Sequence, residues 1–153
     1  MLEIKTLGGL SIRLDGQEIT TLNSQKAEAL LVYLLIEGRI QQRSVLSALL
    51  WPEKSQNEAN RSLRVVLSSL RKHVGDYITI TRDTVRIIDI AKIRIDVFEL
   101  QRKYANGQIE PALEIYKGAF LEGFSVHDSA PFENWMRIRS ELIENQLIEV
   151  LQE

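Results

Sequence analysis

Apolar residues change their spacing several times along the chain, and each change marks a new element. Over the first twenty residues they alternate with polar ones in Leu2-Ile4-Thr6, Leu10-Ile12-Leu14 and Glu18-Ile19-Thr20. These runs are broken by Gly8-Gly9 and by the tight-turn dipeptide Asp15-Gly16, which predicts a small antiparallel sheet. From Gln25 the period lengthens: Ala27, Leu30, Leu31, Leu34 and Leu35 recur at i, i+3, i+4, i+7 and i+8. Asn23 or Ser24 stands ready to cap that helix and Gly38 to end it. Val32, Tyr33 and Ile36 add apolar groups on its other faces, so neighbours are expected to enclose it on most sides. A short second helix opens at Gln42-Arg43-Ser44 and runs through Val45, Leu46, Leu49 and Leu50. It closes at Trp51-Pro52, because the residue before a proline is pushed out of the helical region. The polar loop Glu53-Lys54-Ser55-Gln56 leads into a third helix from about Asn57 to Val74, with Gly75 as its expected C-cap. Alternation then returns in Tyr77–Thr81 and in Val85-Arg86-Ile87, on either side of the turn Arg82-Asp83-Thr84, which is a hairpin pattern.

After Ile95 the spacing is helical again. It predicts helices over Asp96–Tyr104 and Glu110–Tyr116, separated by Asn106-Gly107, then a loop containing Gly118 and Gly123. A long final helix begins near Pro131 and carries Trp135, Ile138, Leu142, Ile143, Leu147, Val150 and Leu151. It meets no stop signal before Glu153, so the chain is expected to be a fragment of something longer.

Composition narrows the chemistry. With 153 residues, 26% charged and 44% hydrophobic, the chain has a globular make-up, and the absence of Cys together with only two His argues against thiol chemistry and Cys-based zinc sites. The apolar run Leu30–Ile36 is far short of the ~18 residues of a membrane span, so a cytoplasmic protein without a membrane partner is expected. His127-Asp128-Ser129 are consecutive and cannot aim three side chains at one centre. Gly8-Gly9 lacks the Lys-Ser/Thr of a phosphate loop, and Glu141 and Glu144 lie on a helix surface without a cleft. An enzyme, a bound metal and a cofactor are therefore not expected.

The net charge of −2 conceals a division along the chain. Residues 24–95 carry twelve Lys or Arg against seven Asp or Glu, which is +5, whereas residues 96–153 carry five against eleven, which is −6. A basic segment joined to an acidic one points to a polyanion-binding module attached to a part with another role.

The third helix concentrates that basic charge. At 100° per residue, Val66, Leu67, Leu70 and Val74 fall within about 60° of Leu63, whereas Asn57, Arg61, Arg64, Ser68 and Lys72 fall on the far side. Glu58 is the only acidic residue of this helix. A solvated helix usually mixes signs to gain i,i+4 pairs, and a nearly one-signed face leaves its countercharge to a polyanion. Such a helix fits the major groove of DNA, where Arg bridges guanine O6 and N7. Taken alone, an ordinary solvated face is an equally good account. The surrounding order of short helix, turn, basic helix and hairpin, with Arg82 and Arg86 near the hairpin tip, is the arrangement of a winged helix-turn-helix.

Leu7-Gly8-Gly9-Leu10, Gln25-Lys26-Ala27, Leu49-Leu50-Trp51-Pro52 and Leu67-Ser68-Ser69-Leu70-Arg71 resemble the OmpR/PhoB-type winged helix of SARP-type bacterial transcriptional activators. Ile95-Asp96-Val97-Phe98-Glu99, Tyr116-Lys117-Gly118-Ala119-Phe120-Leu121 and Trp135-Met136-Arg137-Ile138-Arg139 resemble the start of the bacterial transcriptional activator domain that follows it. The resemblance implies an α+β winged helix over residues 1–90, with a small N-terminal antiparallel sheet, three helices and a wing hairpin. Residues 91–153 would then be the truncated beginning of an all-α, tetratricopeptide-like segment, although a helical packing or dimerisation module fits its acidic residues Glu141, Glu144 and Glu149 as well.

The resemblance further implies a DNA-contacting set of Asn57, Arg61, Arg64, Ser68, Arg71, Lys72, Arg82 and Arg86, with Arg61 and Arg64 entering the major groove and Arg71 on phosphate. Ser68 matches a base-facing position that is often longer and basic in relatives. The Gly-Tyr pair common in the family's second wing strand is absent from Thr84-Val85-Arg86-Ile87. Glu53 and Lys54, in the loop between the second and third helices, match a segment that faces RNA polymerase, although a plain polar linker would look the same. The implied partners are double-stranded promoter DNA, with direct repeats as one operator form, RNA polymerase, and a second copy of the chain on DNA. A degenerate winged helix that docks a protein and no longer binds DNA is the competing reading.

Overall fold

The computed structural model describes residues 1–20, 22 and 24–151. In chain order the elements are β1 (Leu2–Lys5), β2 (Ser11–Leu14), β3 (Gln17–Glu18), α1 (Gln25–Glu37), β4 (Gln41–Gln42), α2 (Arg43–Leu50), α3 (Gln56–Val74), β5 (Ile78–Ile80), β6 (Thr84–Ile87), β7 (Ile93–Ile95), α4 (Asp96–Ala105), α5 (Ile109–Ile115) and α6 (Ala130–Leu151). Short 3₁₀ turns at Gly75–Tyr77 and Ile90–Lys92 join their neighbours. Two compact units cut across this order: Met1–Glu18, Ala91–Phe124 and Asn134–Glu153 form one, Ile19–Ile90 and Ser125–Glu133 the other.

The first unit contains a four-stranded sheet in the order β3-β2-β1-β7. Asp15 at φ 52 and Gly16 at φ 84 supply the two left-handed residues that a tight hairpin turn requires between β2 and β3. The sheet is mixed, where the alternation of the first twenty residues predicts an antiparallel one. β7 pairs with β1 in parallel, Leu2 opposite Ile93 and Ile4 opposite Ile95. A three-residue strand leading straight into a helix leaves almost no periodic signal, and its partner lies some ninety residues upstream. The first residue of α4 fastens this junction. The Asp96 carboxylate accepts hydrogen bonds from the Thr6 and Leu7 backbone N–H groups, the Thr6 hydroxyl and the Val97 N–H, all at 2.9 Å. Phe120 meets Trp135 edge to face at 6.0 Å, so that tryptophan packs as its place on an apolar stripe predicts.

In the second unit, α1 is surrounded as its pattern predicts: Ala27 and Ala29 through Leu35 are all buried. Ser24 Oγ accepts from the Ala27 N–H at 3.1 Å and Gly38, at φ 66, closes the helix. The alternative cap Asn23 lies outside the described residues. Packing of α1, α2 and α3 builds a core from Leu30, Leu34, Leu46, Leu50, Leu63, Leu67 and Leu70. A three-stranded sheet, ordered β4-β6-β5, lies in the same unit, with Val85 of β6 fully buried. β4 is too short for alternation to reveal; it pairs Gln41 with Val85 and Gln42 with Thr84.

Gly75 caps α3 as expected, although with a right-handed backbone, at φ −57, because the chain tightens into a 3₁₀ turn and does not reverse. One expectation is corrected. On α6, Ile143 and Leu147 are buried, whereas Ile138 and Leu142 of the expected stripe are about half exposed. The side chains of Val150 and Leu151 lie outside the described residues.

Candidate nucleic-acid interface

Helix α3 separates its two faces cleanly. Ala59, Leu63, Val66, Leu67, Leu70 and Val74 are buried, which is the stripe expected from the sequence. Asn57, Arg61, Arg64, Ser68, Arg71 and Lys72 are exposed. Ser55 starts the helix, its hydroxyl accepting from the Glu58 N–H at 3.3 Å, with Glu58 in the positive first turn and Arg71, Lys72 and His73 in the negative last turn. The helix dipole thus accounts for part of the charge at the C-terminal end. It does not account for Arg61 and Arg64, which sit mid-helix. Among the described residues, none of Arg61, Arg64, Arg71, Lys72, Arg82 and Arg86 forms a salt bridge. His73 is engaged within its own helix, its Nδ1 lying 2.9 Å from the Ser69 carbonyl oxygen.

The hairpin β5–β6 carries the other two arginines. Its turn is tied by Thr81, whose N–H donates to the Thr84 carbonyl at 2.9 Å while its hydroxyl accepts from the Thr84 N–H at 3.0 Å. Arg82 is exposed at the tip, and Arg86, opposite Thr79 in the ladder, points away from the buried Val85 side.

A groove of about 610 Å³ brings several of these groups together, lined by Gln42, Arg43, Ser44, Asn60, Leu63, Arg64, Arg82 and Asp83. Arg64 of α3 and Arg82 of the hairpin share its wall, while Asn57, Arg61, Ser68, Arg71, Lys72 and Arg86 do not line it. Arg43 completes the groove, and sequence reasoning does not single it out. It sits at the start of α2, where its side chain reads as an ordinary helix opener. The fold turns it onto the hairpin: its Nη1 donates to the Thr81 carbonyl at 3.0 Å and its backbone N–H to the Asp83 carbonyl at 2.8 Å. Asn60 is held by Gln56 Nε2 at 2.8 Å and lies 2.9 Å from Ser47 Oγ, which joins α2 to α3 behind the groove.

The loop between α2 and α3 is a tight turn, with the Lys54 N–H donating to the Trp51 carbonyl at 3.3 Å. Glu53 is exposed, but Lys54 is tied to α3, its Nζ donating to Ser62 Oγ at 3.1 Å. Trp51 is buried, as a packing tryptophan should be, and Lys26 lies over its ring at 5.2 Å. Burial, and then the nearby Lys54 charge, hold Lys26 below the ordinary lysine value, with Asp128 pulling the other way. Ser129, from the rejected His-Asp-Ser run, serves the packing instead, since its buried hydroxyl donates to the Leu50 carbonyl at 2.5 Å. Among the described residues, no group of acidic, His or Cys side chains could hold a metal ion, and no helix is long and apolar enough to cross a membrane.

No family model and no curated protein matches the chain. Among solved structures it is similar to Mycobacterium tuberculosis EmbR in complex with a low-affinity phosphopeptide, over 96% of its length, with a TM-score of 0.66 and 21% sequence identity. The two chains share a fold. The match covers 43% of the EmbR chain, so the present chain spans less than half of that protein.

Proposed function

We propose that the chain is the DNA-binding part of a transcriptional regulator of the SARP type, an activator that recognises a specific promoter sequence. The observation that carries this reading is the exposed, nearly one-signed outer face of α3 in a fold shared with EmbR. In this reading residues 1–90 form a winged helix-turn-helix, α3 is the recognition helix and β5–β6 the wing, and residues 91–153 begin a tetratricopeptide-like activator domain. Arg61 and Arg64, with Asn57 and Ser68, face base edges. Arg71 and Lys72 take phosphate, while Arg82 and Arg86 meet the backbone or minor groove beside the helix. The groove between α3 and the wing adds Arg43 to the phosphate-contacting set. The protein acts in the cytoplasm, without cofactor or catalysis, alone or as a pair of copies on DNA.

Selection of duplexes from a random pool by the full chain tests this reading. Enrichment of one sequence supports it. Recovery of an unenriched pool supports the rival reading, a winged helix that docks protein.

The loop before α3 is the polymerase-facing element of the proposal. Glu53 is its free charge, whereas Lys54 already serves α3 through Ser62. Glu53→Ala in the full-length protein should leave operator affinity unchanged and lower transcription in a reconstituted assay. Unchanged transcription at saturating activator would move the activating contact elsewhere.

A further inference from the structure

Val65 is the one apolar residue that the outer face of α3 does not explain. At 68% exposure it is the most exposed large apolar side chain among the described residues. Its position is not peripheral. It stands four residues after Arg61, three before Ser68 and seven before Lys72, so these four side chains form a single stripe diametrically opposite the buried Leu63 line. A β-branched residue at an exposed helical site lowers helix propensity and, with no neighbour to pack on, recovers nothing from burial.

The stripe grades from long to short and back again. Arg61 and Lys72 reach outward at its ends, while Val65 and Ser68, its middle members, extend only two or three heavy atoms from the backbone. A helix with a low centre and long cationic ends can approach the floor of a groove closely while its ends engage the walls. In the major groove of DNA the apolar group on offer is the thymine C5-methyl, beside the donors and acceptors that Arg and Ser take up. We infer that Val65 is a specificity-determining residue that packs its methyl groups on the C5-methyl of one thymine in the operator. This rests on the proposed DNA-binding reading and adds to it the identity of one base.

The test uses the full chain and the duplex it enriches from a random pool. Each thymine of that duplex is replaced in turn by uracil, which deletes the methyl group and leaves every hydrogen bond of the base pair in place. One position per site should weaken binding about fourfold, the factor expected for one buried methyl. Val65→Ala should abolish that sensitivity without lowering the melting temperature, since the side chain is exposed and Ala favours the helix. Arg64→Ala should weaken binding and keep the sensitivity. An enriched duplex without a uracil-sensitive position, or a sensitivity that survives in Val65→Ala, overturns the assignment of Val65 and leaves the DNA-binding reading standing. A chain that enriches no duplex overturns both.

Discussion

The two longest helices solve the same problem of presenting one face to a core and end with opposite surfaces. Helix α3 buries every large apolar side chain it has except Val65, and its exposed side is basic, with Arg61, Arg64, Arg71 and Lys72 against Glu58. Helix α6 leaves Ile138, Leu142 and Ile148 half exposed, and its charge is mainly acidic, with Glu133, Glu141, Glu144 and Glu149 against Arg137 and Arg139. The basic members also differ in their engagement. Arg137 is tied to Glu141 at 3.2 Å and to Asn134 at 2.6 Å, whereas the cations of α3 form no salt bridge among the described residues. A helix that pairs its charges within itself behaves as an ordinary solvated surface. One that withholds its cations from such pairs leaves them available to an external polyanion, and of these two helices α3 is of that kind.

Core truncations should separate the two helices most strongly. Leu70 is fully buried, and Leu70→Ala should cost about 2–5 kcal/mol in a thermal or denaturant melt. Leu142→Ala, on the exposed side of α6, should stay within about 0.5 kcal/mol of the wild type. Equal losses at the two sites would mean that the two helices are not packed as differently as their exposures indicate. Next comes Arg64→Ala. It should lower affinity for the enriched duplex by about 1–3 kcal/mol, concentrated at one base pair, with the melt unchanged. Smallest is the contrast between Lys72→Ala and Arg137→Ala. The first should reduce the slope of log affinity against log salt by about 0.9, the share of one phosphate contact. The second should leave the slope unaltered, and a change there would place α6 on the DNA.

Much of α3 is legible in the sequence because a regular helix converts sequence spacing into direction. Once Leu63, Val66, Leu67, Leu70 and Val74 define the inner stripe, the exposure of Arg61, Arg64 and Lys72 follows from geometry alone. Caps are equally readable at Ser24 and Gly38, whose side chain and left-handed backbone act locally. Features that depend on distant partners are not. β7 needs β1 to exist as a strand, Arg43 needs the carbonyl of Thr81, and Lys54 needs Ser62. The half-exposure of Ile138 and Leu142 belongs here too, since an apolar stripe states only which residues could be covered. The spacing places Val65 on the outer face as surely as Arg61 and Lys72, but charges dominate the pattern of a basic face and hide one apolar residue among them.

If the outer face of α3 is a polyanion-binding surface, binding to the enriched duplex must depend on salt. Binding should weaken steeply as salt rises, with a log-log slope of magnitude about 4 or more if Arg43, Arg71, Lys72, Arg82 and Arg86 meet phosphate at about 0.9 each. Arg71→Ala combined with Lys72→Ala should flatten that slope by about 2, one phosphate contact for each cation removed. Binding that ignores salt, or a slope untouched by removing both cations, would contradict the account.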